Sequence, residues 1–128
     1  MGFFNSISGS SQENQSLSKV GWRQLKDLGQ LNELVAESAD LPVLIFKHST
    51  RCSVSRMVLK QFENEFSMHE KITPYFLDLV AHRAVSTEIA HRFGVLHQSP
   101  QLIVIKDGKA VFNESHGSIT ASQLEQFI

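Results

Sequence analysis

The sequence predicts an α/β domain, a four-stranded mixed sheet flanked by helices in the order α-βαβ-α-ββα. Three observations carry this. The run Val43-Leu44-Ile45-Phe46 is short, continuous and bounded by Pro42 and by Ser49-Thr50, as a strand buried on both faces is. A helical period of apolar residues and then a second apolar run follow it, so the two strands are predicted to be parallel with a right-handed crossover. Further on, Asp107-Gly108 between two apolar runs is the signature of a hairpin.

The bulk properties fit one soluble domain. The chain has 128 residues, 41% hydrophobic and 20% charged, and a second independent core would not fit comfortably. Twelve basic and thirteen acidic side chains leave a formal charge of −1, which argues against a nucleic-acid partner bound through a broad phosphate-neutralising face. No stretch approaches the roughly 18 apolar residues of a membrane span. A single cysteine excludes an internal disulfide, a Cys-only zinc cage and a self-contained dithiol motif.

Residues 1–18 are rich in Ser, Asn, Gln and Gly and read as a polar, flexible extension, with the compact domain expected over residues 19–128. They lack the cationic start and apolar run of a secretory signal, so a cytoplasmic location is expected. Met1-Gly2 with Ser6 matches a myristoylation pattern formally, but no polybasic patch follows it. Phe3, Phe4 and Ile7 are candidates to cover part of the core.

The elements follow in order. Leu31, Leu34, Val35 and Ala39 predict an extra N-terminal helix over about residues 30–39, with Trp22 and Leu25 packed beneath it. After the first strand, Val54, Val58, Phe62 and Phe66 line one face of a helix over about residues 53–67. Residues 72–80 form the second strand. Val85, Ile89, Ala90 and Phe93 share a face of a short helix that Gly94 caps. Residues 100–105 and 110–112 are the hairpin strands. Thr120, with Gln123 three residues on, predicts the capping box of a terminal helix carrying Leu124 and Phe127.

Cys52 dominates the chemistry. It sits where the first strand gives way to a helix, and there unpaired N–H groups and the helix dipole favour an anion. Such a setting enriches the thiolate, the nucleophilic form, and Arg51 adds positive charge beside it. The competing reading is a buried, inert cysteine acting as a small hydrophobe. Ser55 makes Cys52-Ser53-Val54-Ser55 a C-x-x-S motif, with both side chains on the same side of the first turn. A hydroxyl there can hydrogen-bond the thiolate but cannot resolve a mixed disulfide, so release requires an external thiol; otherwise Ser55 is a solvated helix-start residue. Pro100, after Ser99, heads the third strand, either trans at a strand edge or cis in a tight turn. His48 ends the first strand and faces either the site, where it would assist proton transfer, or the core as a hydrogen-bonding partner. Glu88 and His91 have i, i+3 spacing but no second such pair, so no metal site is expected.

The element order with Cys at the start of the first crossover helix resembles the thioredoxin fold. Glu88 to Val95, Ser99-Pro100-Gln101-Leu102, Lys106-Asp107-Gly108-Lys109 and Gly117 are similar to the second half of thioredoxins, where the proline matching Pro100 is cis and faces the reactive cysteine. More narrowly, Phe46-Lys47-His48-Ser49-Thr50-Arg51-Cys52-Ser53-Val54-Ser55 resembles the signature of the monothiol bacilliredoxin family, and the similarity runs from about Trp22 to Ile128.

The resemblance implies a monothiol thiol-disulfide oxidoreductase that removes bacillithiol from protein mixed disulfides. Cys52 would be the nucleophile and Ser55 its catalytic partner. Thr50, Arg51, Ser53, Ser99 and Pro100 would shape the substrate groove, with His48 assisting. It implies no tightly bound cofactor, bacillithiol as a low-molecular-weight thiol co-substrate, bacillithiolated client proteins as partners, and bacillithiol or a dithiol redoxin as the recycling thiol. Two rivals differ in class. One is a glutaredoxin-like iron–sulfur carrier, whose usual C-G-F-S departs from this chain at Ser53-Val54. The other is a non-catalytic adaptor on the same scaffold.

Overall fold

The computed structural model describes residues 20–68 and 70–128. The expectations for Phe3, Phe4, Ile7 and residues 8–18, and for a domain start near Lys19, lie outside them. The elements are β1 (Arg23–Gln24), α1 (Gly29–Glu37), β2 (Val43–His48), α2 (Ser53–Glu65), β3 (Thr73–Asp78), α3 (Arg83–Phe93), β4 (Gln101–Lys106) and β5 (Lys109–Ser115). Two 3₁₀ segments, His116–Ser118 and Ala121–Phe127, follow.

Among the described residues the sheet has five strands in the order β1-β3-β2-β4-β5. β3 runs parallel to both β1 and β2, while β4 is antiparallel to both β2 and β5. Every residue of β2 is buried, as a strand with neighbours on both edges and helices on both faces must be. Alternate side chains go to opposite faces. Leu44 and Phe46, with Leu102 and Val104, pack under Val58, Phe62 and Phe66 and under Ile119, Ala121 and Leu124. Val43 and Ile45, with Tyr75, Leu77, Ile103 and Ile105, pack under Leu31 and Leu34 of α1 and Val85 and Ile89 of α3.

The structure corrects the expected elements in three places. The fifth strand, β1, replaces what was read as a lead-in to the first helix. Because residues in an extended segment alternate, Leu25 does pack under α1, but Trp22 goes to the opposite face. There it lies 5.9 Å from Phe62, 5.9 Å from Phe46 and 5.7 Å from Phe76, and its indole N–H donates to Glu63 at 2.7 Å. The buried stripe of α2 is Ser55, Val58 and Phe62, while Val54 in the first turn is 42% exposed. The terminal helix is 3₁₀ rather than α. Ala121, Leu124 and Phe127 recur at intervals of three, the 3₁₀ period, so a three-residue turn stacks all three toward the sheet. Its capping box forms between Thr120 and Gln123.

Two glycines act through backbone conformation. Gly94 closes α3 with φ 65°, and the Val95 N–H reaches back to the Ala90 carbonyl at 3.1 Å. Asp107 and Gly108 both have positive φ, 53° and 78°, the pair a two-residue I′ hairpin demands. That turn docks on the end of α1, since Asp107 N–H donates to the Ser38 carbonyl and Gly108 N–H to Ser38 Oγ.

Phe62 stands between Trp22, Phe46 (5.5 Å) and Phe66 (5.7 Å). Phe62→Ala is expected to cost about 3–5 kcal/mol, read as a lower urea midpoint at unchanged slope; a midpoint equal to the parent's would contradict this packing.

Candidate thiol site at the end of the central strand

β2 ends at His48, and the chain turns through Ser49-Thr50-Arg51 before α2 begins. The turn is closed by the Cys52 N–H donating to the Ser49 carbonyl at 3.2 Å, and the Arg51 N–H donates to Ser49 Oγ at 3.3 Å. Arg56, one turn into α2, donates from its guanidinium to the Thr50 carbonyl at 3.1 Å.

Cys52 is the N-cap of α2, with extended backbone (φ −112°, ψ 120°), and it is partly exposed. Its carbonyl accepts the Arg56 N–H at 3.2 Å. The N–H groups of Ser53, Val54 and Ser55 precede the first intrahelical bond and converge on the cysteine end of the helix. Among the described residues no side chain hydrogen-bonds Cys52 Sγ. Ser53, Thr50 and Arg51 are exposed around it.

Ser55 is placed differently from either expectation. It is fully buried (0% exposed), and its hydroxyl is engaged inward. Ser55 Oγ accepts the Ser49 N–H at 3.1 Å and shares a 2.8 Å hydrogen bond with His48 Nδ1. The hydroxyl therefore ties the first turn of α2 to the end of β2 and does not bond the thiol. His48 takes the core-facing alternative, buried under α2 with its ring 5.5 Å from that of Phe76. Burial holds its pKa below the ordinary imidazole value and Arg56 lowers it further, against the raising effects of Asp78 and of the Ser55 backbone.

The Ser99–Pro100 peptide is cis. The antiparallel register pairs Lys47 with Gln101, so Pro100 lies one step beyond that pair, at the end of the sheet from which the chain leads to Cys52. The Pro100 carbonyl accepts the His116 N–H at 3.0 Å, and Gln101 Nε2 donates to the Leu96 carbonyl at 2.9 Å, fastening the loop before the proline. Ser99 Oγ and Gln101 Oε1 are buried without a partner. Among the described residues no group of three or more His, Cys, Asp or Glu gathers as a metal site, and no helix is long and apolar enough to cross a membrane.

One polar group escaped the sequence reading. Lys47 lies in the central strand, 0% exposed, with its ammonium donating to His97 Nδ1 at 2.7 Å. Burial lowers its pKa to about 8. The signal was present: a lysine continuing an apolar run read as buried on both faces has no route to solvent along the strand.

Sheet order, the cis-proline and the helix-capping cysteine together define a thioredoxin-fold protein with a single thiol. Solved structures agree. A candidate oxidoreductase described as having a thioredoxin fold matches with a TM-score of 0.69 and 31% identity, covering 80% of this chain and 89% of that one. The thioredoxin of Malassezia sympodialis (Mala s 13) matches at 0.66 with 16% identity, over 86% of this chain and 90% of its own. The Trypanosoma brucei brucei thioredoxin matches at 0.62 with 16% identity, over 84% and 87%. The family model of the monothiol bacilliredoxin BrxC matches residues 23–124. The chain belongs to the monothiol bacilliredoxin BrxC family, and its function is thiol redox chemistry.

Two outcomes follow from the buried polar groups. Ser55→Ala leaves the Ser49 N–H and His48 Nδ1 unpaired and is expected to cost about 1–3 kcal/mol in denaturant titration; full stability in the variant would remove the brace. Lys47 has a folded pKa of about 8 against 10.5 for an ordinary lysine, so between those values the unfolded chain binds more protons. The lysine's contribution to stability therefore rises with pH across that window. Chemical denaturation from pH 7.5 to 10.5 is expected to show this rise in the parent and to lose it in Lys47→Met; equal profiles would contradict the assignment.

Proposed function

We propose that the protein removes bacillithiol from protein mixed disulfides through Cys52 alone. The observation that carries this is the lone, partly exposed thiol at the N-cap of α2, at the end of the sheet marked by Pro100, in a chain of the monothiol bacilliredoxin family. The Cys52 thiolate attacks the bacillithiol sulfur of the mixed disulfide. The client–bacillithiol S–S bond breaks, a Cys52–bacillithiol S–S bond forms, and the client leaves as thiolate and takes up a proton. One disulfide is exchanged for another, with no net oxidation.

The open N–H groups at the start of α2 lie at the helix end that carries Cys52, where the exchange takes place in this scheme. Thr50, Arg51, Ser53, Ser99 and Pro100 border the groove in which the disulfide lies. Ser55 supports the site from beneath by holding the turn rather than by bonding sulfur. With one cysteine in the chain, the captured bacillithiol leaves only when an external thiol, bacillithiol itself or a dithiol redoxin, attacks its sulfur and returns Cys52 reduced. Client proteins carrying bacillithiol are the partners in this scheme, no tightly bound cofactor takes part, and the reaction belongs in the reducing cytoplasm.

Intact mass after mixing the reduced protein with a bacillithiolated protein, and separately with a glutathionylated one, tests the scheme. Bacillithiol is expected to appear on Cys52, faster than glutathione, and to be absent in Cys52→Ser. Equal transfer from both donors would remove the bacillithiol preference, and transfer from neither would overturn the exchange reaction.

A further inference from the structure

Lys47 follows Val43 and Ile45 on the sheet face covered by α1 and α3, opposite the face on which α2 packs. Next to its partner His97 lies a cavity of about 320 Å³, open to solvent and lined by Leu79, Arg83, Ser86, Thr87, Ala90 and His97. The proposed thiol exchange uses none of these side chains.

The charge around this cavity is one-sided. Lys47 is a fully buried cation whose one hydrogen-bond partner among the described residues is a neutral acceptor, His97 Nδ1, at 2.7 Å. An ammonium carries three donors, so two are left over. Accepting that bond on Nδ1 puts the His97 proton on Nε2, which makes a neutral His97 a second donor. Ser86 Oγ lies 3.4 Å from the same Nδ1. Arg83, in the first turn of α3, has no carboxylate partner among the described residues. The neighbouring acids do not pair with these cations: Asp78 is in register with His48, on the opposite face of the sheet from Lys47, and Glu88 pairs with Arg92 at 3.3 Å. Lys47 and Arg83 both push the His97 pKa down, in addition to its burial, as unneutralised cations do. A buried ammonium without a counter-charge is costly, and among the described residues no carboxylate forms an ion pair with Lys47.

We propose that this cavity binds a small oxyanion, a phosphate or carboxylate group, between Arg83, His97 and the hydroxyls of Ser86 and Thr87, with the Lys47 ammonium behind it. Arg83 supplies the forked donor at the mouth and Ser86 and Thr87 supply neutral donors on the helix side. Lys47 supplies fixed positive charge from the sheet. The site is independent of the thiol chemistry and stands or falls separately from it.

The test is thermal unfolding at pH 7 in increasing inorganic phosphate, and separately in succinate, each against chloride at matched ionic strength. A saturable rise in Tm is expected with at least one of the two anions, since a ligand bound only by the folded state stabilises it. The anion that saturates identifies the oxyanion chemistry. Amide shifts in a 1H–15N spectrum should then centre on residues 79–90 and 97. Arg83→Ala, an exposed substitution, should demand about tenfold more anion, and Lys47→Met should abolish the saturable response. Cys52→Ser should respond as the parent does. No saturable effect beyond chloride overturns the proposal. So does a response that Arg83→Ala leaves unchanged, which decides the matter even where Lys47→Met does not fold.

Discussion

Everything in this molecule depends on burying β2 on both faces and both edges. It is hydrogen-bonded to β3 on one side and β4 on the other, so its backbone groups are paired without water. Its alternating side chains reach into both apolar clusters from the middle of the sheet. Such a strand cannot shift by one residue, because a slip would move Leu44 and Phe46 to the face built for Val43 and Ile45. The position of Cys52 inherits that rigidity. The chain leaves the strand at His48, turns once, and enters a helix that is itself clamped on the sheet through Val58 and Phe62.

The same alternation explains the two polar residues that end the strand. Lys47 and His48 occupy the last two positions of β2, so one faces each layer, and each side chain hydrogen-bonds there, to His97 in one layer and to Ser55 in the other. Burial disfavours the charged form of both. These pairs mark where the apolar part of the sheet stops and its chemical end begins. On the α2 face the pair serves the thiol turn. On the α3 face it leaves a cation beside a cavity.

Most of the fold was legible because its signals are local and strong. A doubly buried strand reads as a continuous apolar run, an Asp-Gly turn between two such runs reads as a hairpin, and Gly94 reads as a helix stop. What escaped was set by partners far away in sequence. β1 has two residues and exists only because β3 offers a free edge, so nothing in Arg23-Gln24 announces it. The 3₁₀ form of the last segment was visible as a period of three but was masked by Leu124 and Phe127, which also fit a short α-helix. At the site, the cysteine's place at a strand-to-helix junction was legible, whereas the inward turn of Ser55 was not. Spacing puts residues 52 and 55 on one side of a helix, but it does not say which of them the sheet will cover.

That last distinction bears on how a lone thiol works in this scaffold. Ser55 uses its hydroxyl twice, toward Ser49 and toward His48, and both bonds lie between the helix and the strand end. A thiol at that position would exchange them for much weaker sulfur contacts. The hydroxyl instead pins the turn that presents Cys52, and it makes no bond to that sulfur. In the exchange proposed above, the C-x-x-S motif thus divides two tasks between its ends. The first residue meets the disulfide, and the last keeps the helix start fixed while an external thiol completes the cycle.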